Sequence, residues 1–206
     1  MIHPESVSPA LFSTLVKLYQ IDELKNAALG GGTSLALRFG HRKSIDIDLF
    51  FTKPFNSLLV QESLMYHFDQ FSVTNRTPGS LSGNLDTVKL DILLHSYPLL
   101  NKYTHEEELV LVSLPDMAAM KINAVTNRGS KKDFSDLLLL HENGIPLPQA
   151  LEFFCNKYGS TGRFLAIRSL NWFDDAEAEP DPIYLNGWTW TYVQQQMATL
   201  GQSLIH

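Results

Sequence analysis

Two aspartates spaced two apart, Asp46 and Asp48, are residues whose type and spacing could do chemistry. They lie in Ser44-Ile45-Asp46-Ile47-Asp48-Leu49-Phe50-Phe51, where polar and apolar residues alternate with the period of a strand. Both carboxylates therefore share one face, with roughly 6.5–7 Å between their Cα atoms, while Ile45, Ile47 and Leu49 turn to the other face and into a core. Val88-Lys89-Leu90-Asp91-Ile92-Leu93 repeats the pattern, with Lys89 and Asp91 on one face. If the two strands are neighbours, three carboxylates converge. Clustered like charges repel, and without a cation at least one pKa rises. Mg2+ (or Mn2+) is the natural cation, a hard ion that prefers carboxylates, water and substrate phosphates. Two such ions about 3.5–4 Å apart activate an attacking hydroxyl and steady a leaving pyrophosphate. Taken alone, Asp46 and Asp48 read equally well as the wet face of an edge strand.

The run Gly30-Gly31-Gly32-Thr33-Ser34 ends shortly before this strand and opens a predicted helix. Backbone N–H groups there, with the hydroxyls of Thr33 and Ser34, form a natural cradle for a triphosphate. No Lys follows the glycines, so the run is not a Walker A loop. Leu35 stands where a dinucleotide fingerprint needs its third glycine, although Asp46 or Asp48 could still serve as the ribose-binding acid of such a fold.

A second cluster comprises Lys121, Arg128, Lys131, Lys132, Asp133 and Asp136. Lys121 and Arg128 are seven apart and share a helical face, where they would neutralise phosphates. Asp136 would pair with Lys132 across one turn. A solvated, salt-bridged helix pair explains this segment equally simply. However, Arg38, Arg42, Lys43, Lys89, Lys121, Arg128, Lys131 and Lys132 make up eight of the 16 Lys and Arg residues, and all lie in or beside these motifs. The acidic excess lies elsewhere, notably in Glu106 to Glu108 and Asp174 to Asp181. Cys155 reads as helix packing, and Trp172, Phe173, Trp188, Trp190 and Tyr192 read as core or interface rather than a base-stacking platform.

The elements that must position these residues can be read from periodicity. Helices are expected over Ser8 to Leu24, Leu35 to Phe39, Ser57 to Asp69, Pro115 to Asn127, Lys132 to Glu142, beyond Pro146, and Thr191 to Leu204. Strands are expected over Ser44 to Phe51, Phe71 to Asn75, Leu81 to Leu94 and Glu108 to Val112, with turns at Pro78-Gly79 and Gly83-Asn84. Asp174 to Pro182 reads as an exposed loop. The fold class is α+β: a small mixed sheet flanked by helices over residues 1–112, followed by a helical part over 113–206 packed on it.

The chain has 206 residues, 44% of them apolar, 18% charged and 11% aromatic. That composition excludes disorder, collagen and coiled coil as its main character. One cysteine excludes a disulfide framework and a Cys-based zinc site. No apolar run reaches the roughly 18 residues of a membrane span, and Met1 to Glu5 has no basic segment leading into an apolar stretch. The reading is a soluble, cytoplasmic protein without membrane partners. A net charge of −6 argues against a generally basic nucleic-acid binder, while leaving room for a local basic site.

Leu29-Gly30-Gly31-Gly32-Thr33-Ser34-Leu35-Ala36-Leu37-Arg38, running on through His41-Arg42-Lys43-Ser44-Ile45-Asp46-Ile47-Asp48-Leu49-Phe50, resembles the nucleotidyltransferase AbiEii/AbiGii toxin family. The members of that family look like minimal DNA polymerase β-type nucleotidyltransferases. The resemblance continues at Val88 to Leu93, Asp116 to Ala124 and Arg128 to Leu137. It implies Asp46, Asp48 and Asp91 as catalytic, metal-binding carboxylates, with Lys121 and Asp133 as further catalytic residues. It implies nucleotide binding by Gly31, Gly32, Thr33, Ser34, Arg42, Lys89, Arg128 and Lys132. The implied function is Mg2+-dependent transfer of NMP from an NTP to an RNA (or tRNA) or protein hydroxyl, as the toxin of a toxin–antitoxin or phage-defence pair with a cognate antitoxin. The alternative is a catalytically silent nucleotide- or partner-binding module with the same fold. The gap from Gly32-Thr33 to Asp46 is longer than the general pattern, and the chain after residue 145 is short for the family.

Overall fold

Ser8 accepts from the Leu11 backbone N–H and Pro9 follows it at the first helical position, which fixes the start of helix α1 (Pro9–Tyr19). Its Leu11, Leu15 and Leu18 are buried at helical spacing. The helix stops at Tyr19, and Asp22–Leu24 forms a separate 3-10 turn, so the single helix expected to Leu24 is two pieces. The structure, a computed structural model, describes residues 2–205. The chain divides into two compact units. One runs to Pro98 and resumes over Tyr103–Val112; the other is Leu99–Lys102 together with the chain from Ser113 onward.

The first unit holds one seven-stranded mixed sheet. Its strands are β1 (Ala28–Leu29), β2 (Asp46–Phe51), β3 (Phe71–Thr77), β4 (Ser80–Leu85), β5 (Val88–Leu94), β6 (Thr104–Glu106) and β7 (Leu109–Leu111). They lie in the order β3-β4-β5-β2-β1-β7-β6. The β2–β5 and β1–β7 pairs are parallel, and the rest are antiparallel. Helices α2 (Gly31–Phe39) and α3 (Ser57–His67) complete the unit with α1. Helix α2 ends on Gly40 in the left-handed region (φ 64°), where the absence of a Cβ removes the penalty. Asn56 caps α3 by accepting from the N–H groups of Leu58 and Leu59.

Alternation decides which residues build this core. Ile47, Leu49 and Phe51 of β2, Leu90 and Ile92 of β5, and Leu81 and Leu85 of β4 all face it with Leu11, Leu15 and Leu18. Each such side chain contributes about 1.5–3 kcal/mol of burial free energy. Ile45 departs from the expected core face: it precedes the first ladder residue of β2 and is 65% exposed. The strand expected over Glu108 to Val112 is one arm of a β6–β7 hairpin that turns at Glu107, where φ is 54°. Its other arm, Thr104–Glu106, is too polar to show an apolar period.

The second unit contains α4 (Leu114–Asn127), α5 (Lys131–Glu142), α6 (Leu147–Tyr158), α7 (Arg163–Ser169), α8 (Asp174–Glu177) and α9 (Trp190–Gln202). Ser113 and Ser130 cap α4 and α5 by accepting from the N–H groups of Asp116 and Asp133. The expected loop over Asp174 to Pro182 thus begins with a helical turn. Phe134, Phe173 and Trp190 pack with ring centroids 4.8–6.3 Å apart, Trp190 as part of the core and Phe173 half-buried at its edge. Trp172 and Tyr192 are exposed, and Trp188 is partly so. No described helix is long and apolar enough to cross a membrane.

Candidate active site

Sheet register brings the first-unit carboxylates together. Asp46 lies opposite Lys89, and Asp48 lies opposite Asp91 across the parallel β2–β5 pair. The condition set by the sequence pattern, that these strands be neighbours, is met. All three aspartates are half-buried and stand on the face away from the core. Lys89 Nζ lies 2.7 Å from Asp91 Oδ2 and supplies the positive charge in this patch. The Asp91 hydrogen bond raises the Lys89 pKa above its usual value against the desolvation that lowers it, and the charges of Asp91, Asp46 and Asp48 add to the rise. Lys89 therefore senses all three carboxylates at once.

The glycine run is tied to the same strand. Gly30 N–H donates to the Asp48 carbonyl at 2.9 Å, and Gly31 turns into α2 with φ at 61°. The N-cap residue of α2 is Gly30, which has no side chain to offer the first-turn N–H groups. A Cβ on Gly31 would overlap Asp48 Oδ2, and one on Gly32 would overlap Arg42 Nη2. The two glycines thus make room for a carboxylate and a guanidinium of the protein itself. A carboxylate at a helix N-terminus is also favoured by the helix dipole.

Two expectations about this loop change. The Thr33 hydroxyl is buried and turned inward, donating to the Asp46 carbonyl and lying within hydrogen-bond distance of Ser44 Oγ at 2.8 Å. It fastens the helix to the start of β2 instead of facing a phosphate. Arg42 is 1% exposed, with Nη1 donating to the Lys43 carbonyl at 3.0 Å, so its charge is part of the scaffold behind the loop. Ser34 is also buried, and its hydroxyl has no hydrogen-bond partner among the described residues.

The residues of the second cluster meet one another in their own unit. Lys121 Nζ lies 2.9 Å from Asp133 Oδ1 and 2.6 Å from Asp136 Oδ2, with all three side chains buried. Arg128 adds a second clasp to Asp133 through Nε at 2.7 Å and Nη2 at 3.1 Å, and Ser130 Oγ donates at 3.0 Å. Burial pushes the Asp133 carboxyl up, but the charge of Lys121 and the Arg128 contact outweigh it and bring the pKa to about 2. Asp136 therefore pairs with Lys121, not with Lys132 as the one-turn spacing suggested, and Lys132 is exposed. An ammonium in apolar company needs a counter-charge, and α5 provides two. The expected positive patch is correspondingly reduced: Arg38, Lys89, Lys121, Arg128 and Lys131 all hold carboxylates.

Sequence reasoning passed over a third network, at Asp116. Its carboxylate accepts from Lys157 Nζ at 2.6 Å, Ser113 Oγ at 2.5 Å, and the N–H groups of Leu100 and Asn101 at 3.0 and 3.1 Å. Burial raises its pKa, and these donors more than offset that rise. The cap pattern Ser113-Leu-Pro-Asp116 was the available signal.

Among the described residues, no three His, Cys, Asp or Glu side chains stand together as a ready metal cluster. The donor chemistry at Asp46, Asp48 and Asp91 nevertheless fits a hard dication, being carboxylate oxygen throughout with no thiolate or imidazole. Lys89 holds Asp91 in the arrangement seen.

A model of the nucleotidyl transferase AbiEii toxin family, a type IV toxin–antitoxin system, matches residues 14–68 and 60–196. The chain belongs to that family. An uncharacterized protein of Aquifex aeolicus (strain VF5) is 33% identical over 174 residues, covering 80% of this chain and 82% of that protein. Among solved structures, JHP933 from Helicobacter pylori superposes with a TM-score of 0.60 at 16% identity, covering 95% of this AbiEii-family chain and 89% of the other. The nucleotidyltransferase toxin MenT4 of Mycobacterium tuberculosis gives 0.58 at 14% identity, covering 94% and 82%. At such identities the structural likeness speaks for the fold, which is a nucleotidyltransferase fold.

Proposed function

We propose that this chain transfers a nucleoside monophosphate from an NTP to a hydroxyl of RNA, with Asp46, Asp48 and Asp91 at the reacting centre. The observation that carries the reading is the register that sets Asp48 opposite Asp91, with Asp48 lying against the glycine start of α2. The triphosphate would lie along the first-turn N–H groups of α2, where backbone donors and the helix dipole favour anions. Asp46 and Asp48 would hold Mg2+, which when bound supplies positive charge against the carboxylates and the triphosphate.

The acceptor oxygen bonds to the α-phosphorus while the bond from that phosphorus to the α,β-bridging oxygen breaks. Pyrophosphate leaves with the bonding electron pair, and the acceptor proton passes to the Asp91 carboxylate and on to water. Lys89, released from Asp91, would pair with a phosphate oxygen instead. Lys121 and Asp133 act in this reading as positioning residues, since the pair ties α4 to α5 and Asp133 also holds Arg128. The family description makes a cognate antitoxin the expected partner, and the cytoplasm is the expected site of action.

Incubating the protein with each labelled NTP in turn, Mg2+ and total RNA tests the reading. Label should appear in an RNA band with one or a few of the NTPs and disappear with EDTA. Absence of label transfer with all four NTPs would count against it.

A further inference from the structure

We infer that the acceptor nucleoside lies over β4 and β3, with its ribose above Ser82 and its base in a cavity bordered by Asn84. The inference rests on the transfer reading above and adds the acceptor's location and its base preference.

The order of the sheet carries the argument. On the β1 side of the carboxylates stands the glycine start of α2, where Gly30 is bonded to the Asp48 backbone. A donor nucleotide on that helix end occupies that side. On the other side the polar face continues without interruption. Register places Asp91 opposite Ser82, and Ser82 opposite Asn75, extending the row that begins at Asp48. The neighbouring row runs from Asp46 through Lys89 and Asn84 to Ser72. Ser82 and Asn84 alternate with the buried Leu81, Gly83 and Leu85, so their side chains share the carboxylate face.

This continuation differs in chemistry from the carboxylate patch. Hydroxyl and amide groups replace charges, and such neutral donors and acceptors suit ribose hydroxyls and base edges rather than phosphates. At the outer end of the Asn84 row lies a cavity of about 260 Å3 lined by Asp69, Gln70, Phe71, Ser72, Asn84 and Asp86. Its two carboxylates repel phosphate but accept hydrogen bonds from an exocyclic amino group, as acidic side chains do with amino-bearing bases. The base preferred there is adenine, cytosine or guanine over uracil, and the hydroxyl of its ribose falls on the Ser82 side, next to Asp91.

The test uses the full chain, labelled NTP, Mg2+ and single-stranded RNA oligonucleotides that differ only in the 3′-terminal base. Oligonucleotides ending in A, C or G should be used about tenfold or more better than the one ending in U. Asp69→Asn combined with Asp86→Asn should erase that discrimination, and Asn84→Ala should raise the half-saturating RNA concentration. Ser82→Ala should raise it too, with Ser82→Thr restoring the wild-type value. The half-saturating NTP concentration and the melting midpoint serve as controls and should stay at wild-type values. Equal use of all four ends, or unchanged RNA dependence in both alanine variants, overturns the acceptor site while nucleotide transfer stands. Labelling of a protein in place of every oligonucleotide also overturns it. NTP consumption that is absent, or that persists in Asp48→Asn, instead identifies a failure of the transfer reading itself.

Discussion

Gly31 and Gly32 show how little slack surrounds the reacting carboxylates. Their missing Cβ atoms accommodate Asp48 and Arg42, so a substitution here acts on the protein before any nucleotide arrives. Gly32→Ala should lower the melting midpoint measurably, because its methyl meets a buried guanidinium that has little room to retreat. Gly31→Ala adds the strain of a positive φ and should displace Asp48, lowering stability by about 1–2 kcal/mol and transfer more steeply. Thermal melts paired with NTP turnover separate the two effects; a Gly32→Ala protein with a wild-type midpoint would contradict the packing seen at Arg42. A Cβ that obstructed the triphosphate alone would spare stability, whereas the Arg42 contact makes the substitution act on the fold as well.

Lys121 and Asp133 make a further case at this scale. Removing the Lys121 ammonium leaves two buried carboxylates without it, and removing the Asp133 charge frees Lys121 and Arg128 from their shared partner. Either change should cost roughly 3–5 kcal/mol, the range seen when one member of a buried pair is lost. Lys121→Ala is therefore expected to weaken folding as well as catalysis. Urea titrations of Lys121→Ala and Asp133→Asn decide this, with midpoints equal to wild type as the contrary result.

At the level of elements, the two-residue β1 matters more than its length suggests. Leu29 N–H donates to the Tyr19 hydroxyl at 2.9 Å, and that hydroxyl donates to the Val110 carbonyl at 2.6 Å. One phenol at the end of α1 therefore fixes β1 beside β7, and β1 leads straight into the glycine run. Burial pushes the Tyr19 phenol up, so it stays protonated and able to donate. Tyr19→Phe should cost about 1–3 kcal/mol through two unsatisfied backbone groups, and amide exchange at Leu29 should quicken. Unchanged protection at Leu29 would show that the phenol is dispensable.

Elements also explain what could be read from sequence. The alternation around Asp46, Asp48, Lys89 and Asp91 assigns each strand's faces by itself, because a period of two leaves no other choice. That β2 and β5 are neighbours is a long-range fact, settled by α3 and the β3–β4 hairpin returning the chain to the sheet. The basic run His41-Arg42-Lys43 shows charges, yet only the space above Gly32 determines that Arg42 goes inside. Asp136 likewise had Lys132 within reach by spacing, yet it pairs with the buried Lys121 of the neighbouring helix, a contact no local spacing shows. Polar strands such as Thr104–Glu106 offer no apolar period to read.

Over the whole molecule, a net charge of −6 combines with buried cations such as Lys121, Lys131 and Lys157 that are held by carboxylates. Acid should therefore act by disarming these pairs. Asp133 titrates near 2 when folded, below its ordinary value of 3.8, so its contribution is full above about pH 4 and fades as pH falls toward 2. Asp116 is lowered in the same direction and adds to the effect. Stability should be flat from neutral pH to about pH 5 and then fall steeply. Asp133→Asn should start lower and fall less steeply; parallel curves for the two proteins would show that Asp133 does not set the acid limb.

The central claim is that three carboxylates in register across β2 and β5 carry nucleotidyl transfer. Pyrophosphate release from the preferred NTP with RNA acceptor, measured for wild type and for Asp46→Asn, Asp48→Asn and Asp91→Asn alongside their melting midpoints, tests it most directly. The expected result is loss of release by roughly a thousandfold or more in each variant, with midpoints equal to or slightly above wild type because like charges have been thinned. Wild-type release from any one of the three folded variants would contradict the claim.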